Sequence, residues 1–327
     1  MTSRRSSASG ASAIMIPRIA ALALLLSLAG TVPAAESKLD EALRGVKVPP
    51  DWLDEVKTSY NTQTPWKDAR LHIRQLLAEG KNREAVKLTY LYHVVQKNGS
   101  TDGHEYPMYL YLGGEHAWAI KVYAERLAPK PKGAVFEYNA LASLYARFGE
   151  YARAIQTLQD GLEHLPDPPW AINGRASLND KLGDVYAQMG DLEKARQHYE
   201  EAIRLFPTSD QPYGRHLLHR NAAKVQAKLD LMNRKALDIQ ALKDGTYRGT
   251  SLGYVKDVVA TVKLAGGKIA DIRLQHEEKI DLGATKSVPK QILERQGLDV
   301  DAVTGATVTT QAIVEAVYRA LQQAGMK

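Results

Sequence analysis

The residues best placed for chemistry in this 327-residue chain are two hydroxyls near its end. Thr304 and Thr307 stand in the run Asp301-Ala302-Val303-Thr304-Gly305-Ala306-Thr307. Gly305 and Ala306 add no bulk beside them, and glycine accepts backbone angles that other residues resist. A helical pattern from Val308 to Ala324 follows. A hydroxyl ahead of a helix can cap free amide N–H groups, and Thr307, Thr309 and Thr310 are all eligible, although no Glu or Gln lies three residues beyond any of them. The same amides, with the positive end of the helix dipole, also favour an anion. Asp301 does not fit that second use, because a carboxylate repels an anion.

Other candidates are weaker. His276 with Glu277 and Glu278 could move a proton, but charged side chains are so seldom buried that a solvated strand end is the plainer expectation. His216 and His219 share a helix face, yet two ligands are too few for a metal site, and none is assigned. The chain has no cysteine, which excludes disulfides, c-type haem attachment and cysteine-held iron–sulfur clusters. It also has no Gly-x-Gly-x-x-Gly loop, no phosphate-binding Gly-Lys-Ser/Thr loop and no nucleophile–base set. Any redox chemistry must come from an organic cofactor or from a partner.

The elements around the two threonines belong to a mixed domain. From Gly245 the apolar period changes from helical to alternating. Thr246 to Leu252, Val258 to Leu264 and Ile269 to Gln275 are rich in β-branched residues and read as strands. Ala265-Gly266-Gly267-Lys268 is a hairpin turn between the last two. Val288 to Gln296 and Val308 to Gln323 read as helices, so residues 244–327 form an α+β domain of about 80 residues, near the lower size for independent folding.

Upstream the chain repeats itself. Tyr138, Leu141, Ala142, Tyr145, Gly149, Ala154, Leu158, Gly161 and Pro166 are echoed by Leu182, Gly183, Tyr186, Gly190, Ala195, Tyr199, Ala202 and Pro207. Ala85 and Ala119 place two weaker units at the same small-residue position. Gly149 and Gly190 can end the first helix of a pair, and Pro166 and Pro207 stop the second. Residues 67–214 therefore read as repeated helix pairs, after a lead-in over 36–66 whose Trp52 and Trp66 should pack against the helices beyond them. Arg215 to Lys243 reads as one long capping and linking helix, from Leu218, Ala222, Val225, Leu229, Met232, Ala236 and Ile239 at three- and four-residue steps.

Residues 1–35 have a basic start, a short apolar run from Ile19 to Leu28 and small residues at Val32-Pro33-Ala34-Ala35. That is the pattern of an export signal, too short for a good membrane span. The expectation is an exported, periplasmic or extracytoplasmic protein, anchored to the membrane if the segment stays uncleaved. The segment holds Arg4, Arg5 and Arg18 and no acid, so its removal halves the formal excess of +6. No basic stripe suggests a nucleic acid.

Two resemblances join these readings. The helix pairs resemble tetratricopeptide repeats, which stack into a solenoid. The last block resembles covalently flavinylated FMN-binding domains, which carry Asp-x-x-Ser/Thr-Gly-Ala-Ser/Thr. The likeness runs from Asp244-Gly245-Thr246-Tyr247-Arg248-Gly249 through Gly266-Gly267-Lys268-Ile269-Ala270-Asp271-Ile272 and Val288-Pro289-Lys290-Gln291-Ile292 to Thr307. The family includes the small flavin subunits of sodium-pumping NADH:quinone oxidoreductase and of Rnf complexes, and stand-alone extracytoplasmic modules.

The resemblance implies FMN joined through its phosphate to Thr307, with Thr304, Gly305 and Ala306 beside it. Asp301 would be recognised by a flavin transferase that uses FAD and magnesium and leaves AMP. Gly283 and Thr285 would line the isoalloxazine or the phosphate, although Lys279-Ile280-Asp281-Leu282-Gly283-Ala284-Thr285-Lys286 replaces the Glu-Thr-Pro-Gly-Leu-Gly segment of many members. The expected fold is an all-α solenoid followed by an α+β FMN-binding domain. The expected function is electron transfer, with a membrane redox partner and a protein partner docked on the concave face of the repeats. The alternatives are a non-enzymatic scaffold and a flavin-dependent reductase of a small substrate.

Overall fold

A computed structural model describes residues 37–99, 104–212, 214–233, 238–278, 281–300 and 306–326. The expectations for residues 1–35 and for Asp301, Thr304 and Gly305 lie outside them, as does the side chain of Thr307.

The helical part begins with α1 (Lys38–Gly45) and the short α2 (Trp52–Glu55). Four antiparallel pairs come next: α3 (Trp66–Ala78) with α4 (Asn82–Tyr90), α5 (Glu105–Leu112) with α6 (His116–Leu127), α7 (Val135–Arg147) with α8 (Tyr151–Glu163), and α9 (Ala171–Met189) with α10 (Leu192–Leu205). The small-residue register is the one the sequence implies. Ala85, Ala119, Ala154 and Ala195 each sit in the second helix of a pair and are completely buried, because a methyl group is all that fits where two helices cross. Gly190 ends α9 in the left-handed conformation, a backbone state that costs most residues energy and glycine almost none. In the lead-in, Trp66 packs on Tyr92 and Tyr109 and donates to Glu105 Oε2 at 2.6 Å. Trp52 lies under the Arg83 guanidinium at 5.2 Å.

The connecting helix α11 is shorter than its spacing implies. It runs from Arg215 to Met232, and Ile239 belongs to a separate 3-10 turn, Ile239–Ala241, capped by Asp238. The reason is tertiary. Leu218, Ala222, Val225 and Leu229 pack into the core of the last repeat, whereas Ile239 packs into that of the C-terminal domain. One run of apolar residues thus serves two cores. Arg215, His219, Gln226 and Asp230 give α11 an exposed polar stripe, while elsewhere on the helix Leu231 reaches the C-terminal core and Arg220 binds the Gly253 carbonyl at 3.1 Å and Asp257 at 3.3 Å.

That domain has an antiparallel meander of β1 (Gly245–Leu252), β2 (Asp257–Ala265) and β3 (Lys268–Gln275). Val258, Ala260, Val262 and Leu264 of β2 alternate into the core. Gly266 and Gly267 both have positive φ and close the β2–β3 hairpin, as the two-residue turn demands. Helix α12 (Ala284–Arg295) begins four residues before the expected Val288, because Gly283 in the left-handed region starts it and Asp281 stabilises its first turn. Helix α13 (Thr307–Gln323) lies across β1 and β2. Among the described residues, no helix is long and apolar enough to cross a membrane.

Strand β1 and α13 meet backbone to backbone at Gly249. A Cβ added there would stand 2.0 Å from the Ala316 carbonyl oxygen and 2.6 Å from the Ala320 nitrogen. Helix backbone cannot swing aside as a side chain can. Gly249→Ala should therefore cost about 3 kcal/mol or more, at the upper end of overpacking penalties, read as a lower urea midpoint. An unchanged midpoint would mean that the two elements do not touch there.

Candidate functional site

Thr307, the last residue of the motif, is the first residue of α13. Ala306 precedes it as the N-cap, is buried, and accepts from the Thr310 N–H at 2.8 Å. Among the described residues no side chain caps this helix, so capping is not the use made of Thr309 or Thr310.

The Thr309 hydroxyl is already committed. It donates to Glu278 Oε2 at 2.6 Å, and the same carboxylate accepts from the Tyr254 and Val255 amides at 3.0 and 2.9 Å. Glu278 thus ties the β1–β2 loop to the start of α13 and puts a negative charge near its positive end, a stabilising placement. The solvated strand end expected here holds for His276 and Glu277, which are exposed, Glu277 pairing with Lys256 at 2.7 Å. It fails for Glu278, whose neighbours in sequence gave no sign of these partners.

Thr310 is different. It is 5% exposed, and its Oγ1 has no hydrogen-bond partner among the described residues. Buried hydroxyls are rarely left so. It faces a cleft of about 470 Å3 between the C-terminal domain and the repeats, within the range of small-molecule pockets.

Gly283 and Thr285 are placed for local structure. Gly283 is the residue before α12, its N–H donating to Asp281 Oδ1 at 3.1 Å, and the Thr285 hydroxyl donates to Asp281 Oδ2. Burial would raise the Asp281 carboxyl, but the Thr285 hydroxyl and the Gly283 and Thr285 amides outweigh it and hold the group below its ordinary value. This closed knot shares a core with Ala306 through Ala284 and Val288.

A buried ionic cluster lies beside α13 that sequence reasoning missed. Lys228 of α11 donates to Asp180 Oδ1 at 2.6 Å and Asp184 Oδ1 at 2.8 Å. Lys181 reaches Asp184 Oδ2 at 2.9 Å, and the Tyr199 hydroxyl donates to Asp184 Oδ1 at 3.0 Å. A cavity of about 60 Å3 joins Asp180 and Lys228 to Val308 and Gln311 in the first turns of α13.

Comparison with known proteins agrees with this division. The family model of the FMN-binding domain matches residues 253–322, and tetratricopeptide-repeat models match 138–169 and 176–209. The chain is 27% identical over 168 residues to an NADH:acrylate oxidoreductase of Vibrio harveyi, covering 50% of this chain and 15% of that protein. It is 27% identical over 103 residues to the photosystem I assembly protein Ycf3 of Cyanophora paradoxa, and 34% identical over 74 residues to that of Prochlorococcus marinus. Those matches cover 29% and 20% of this chain, and 60% and 43% of the two relatives. The chain thus spans less than two thirds of the length of each.

Proposed function

Because this chain is a flavoprotein with an FMN-binding domain behind tetratricopeptide repeats, we propose that it is an exported electron-transfer protein with FMN joined to Thr307. The observation that carries the reading is the position of that residue. The motif's last threonine opens α13 inside the matched domain, where the first-turn amides and the helix dipole favour a phosphodiester anion. Attachment is a group transfer. Thr307 Oγ attacks the FMN phosphorus of FAD, the pyrophosphate P–O bond breaks, AMP leaves, and the hydroxyl proton passes to a base on the flavin transferase.

The residues present fit such a group. Thr310 offers a buried hydroxyl, unpartnered among the described residues, one turn from Thr307. FMN, once bound, supplies one- and two-electron transfer, while the protein positions it and sets its surroundings. The signal-like segment supports export, where a covalent tether prevents loss of a cofactor that the cell could not recover. A membrane donor and a protein acceptor are the partners this role requires.

The test is to co-express the full chain with a flavin transferase, denature it and look for flavin fluorescence on a gel. A fluorescent band at the mass of the chain is expected. No band would leave the scaffold reading, in which the repeats alone do the work. Similarity to an NADH:acrylate oxidoreductase favours one further reading, reduction of a small unsaturated acid at the flavin. Turnover of acrylate by the purified, chemically reduced flavoprotein alone would support it.

A further inference from the structure

The cleft beside Thr310 has two unlike walls. One is α13, through Thr310, Gln311 and Val314; the other is the first-helix face of successive repeats, through Tyr111 of α5, Arg147 of α7, and Lys181 and Gln188 of α9. That face is where solenoids of this kind usually receive partners. Here it looks onto the chain's own C-terminal domain, and Leu282 of that domain packs against the first repeat. The concave docking surface expected from the sequence is therefore already shared with a domain of the same chain.

We propose that this cleft holds the isoalloxazine ring of the flavin, so that the repeats form the second wall of the flavin site. The proposal rests on attachment at Thr307. A rise of ~1.5 Å per residue puts Thr310 and Val314 about 5 and 10 Å along the helix from Thr307, within the span of a ribityl chain. The lining suits a flat aromatic ring with one polar edge. Val314 and Tyr111 offer apolar and aromatic surface, Arg147 and Lys181, the latter already paired with Asp184, carry further N–H donors for ring carbonyls, and the Thr310 hydroxyl has no partner among the described residues.

The test uses the full, flavinylated chain and two measurements besides activity. In wild-type protein, time-resolved anisotropy of flavin emission should lack the fast nanosecond component of a ring swinging on its tether. In Gln188→Trp, an exposed position on the repeat wall, contact between the indole and the flavin ring should quench native flavin emission relative to wild type. Emission should match wild type once both are unfolded. Leu71→Trp, exposed on α3 and outside the cleft, should leave emission unchanged. A fluorescent gel band together with a fast anisotropy component and unquenched Gln188→Trp would overturn the cleft site while leaving attachment standing. Absence of the band would overturn attachment, and the cleft site with it.

Discussion

Thr307→Ala is expected to yield a folded protein that carries no covalent flavin. A phosphodiester cannot form without the hydroxyl oxygen, so the loss is complete rather than graded. The neighbouring threonines are poor substitutes. The Thr309 hydroxyl is bound to Glu278 and that residue is 2% exposed, while Thr310 is buried behind the first turn. Neither can be presented to a transferase without unwinding α13. The fold should not suffer, because the N-cap of α13 is Ala306 rather than Thr307 and alanine is the best helix former. Thr307→Ser should keep the band, since the oxygen remains and only a methyl group is lost. Thr304→Ala should keep it too. The measurement is gel fluorescence beside a thermal melt. A band that survives Thr307→Ala in well-folded protein would move the attachment elsewhere.

How far the sequence carries the site depends on which residues speak locally. The Gly266–Gly267 hairpin and the alanines at the helix crossings were legible, because a turn that needs positive φ and a crossing that admits only a methyl group each select residue types at fixed spacing. The start of α12 was not. Its signal is Asp281 binding Gly283 and Thr285, a local knot with no apolar period to announce it. Glu278 was misread for a related reason: its partners lie 23, 24 and 31 residues away. The end of α11 was hidden by apolar residues whose helical spacing continues although they enter two cores. The cleft was wholly out of reach, since it exists only when α5, α7 and α9 are brought against α13.

The ionic cluster at α11 shows how much such hidden contacts can weigh. Asp180 and Asp184, one turn apart on α9, look in sequence like a solvated face, yet Asp184 and Lys228 are only 8% and 11% exposed along their side chains. Burial opposes charge on Lys228, but Asp180 and Asp184 outweigh it and hold the ammonium above its ordinary range. Burial likewise raises the Asp184 carboxyl, and Lys228 and Lys181 more than reverse that, leaving it below its ordinary value. For Asp180 burial wins and the carboxyl is raised. Lys228→Met keeps the stem and deletes the charge, leaving the buried Asp184 and the half-buried Asp180 with Lys181 and Lys224 as nearby cations. The expected loss is about 3–5 kcal/mol at neutral pH, the cost of breaking a buried pair from one side, read by urea unfolding.

Its pH dependence follows from the sign of the shifts. In wild type, the depressed Asp184 contributes stability that is present above the ordinary carboxylate pKa and lost as pH falls through the lower folded value. Without Lys228 the carboxylates gain by protonation, so the deficit of the variant should shrink as pH falls from 7 towards about 4. Lys228→Met with Asp184→Asn should recover much of the loss, because the uncompensated charge is then gone as well. A loss under about 1 kcal/mol, the range of exposed pairs, would mean that the cluster is open to water and α11 is not clamped to α9. That outcome would also weaken the repeats as a wall of the flavin site, since α11 is the helix that packs against both the last repeat and α13.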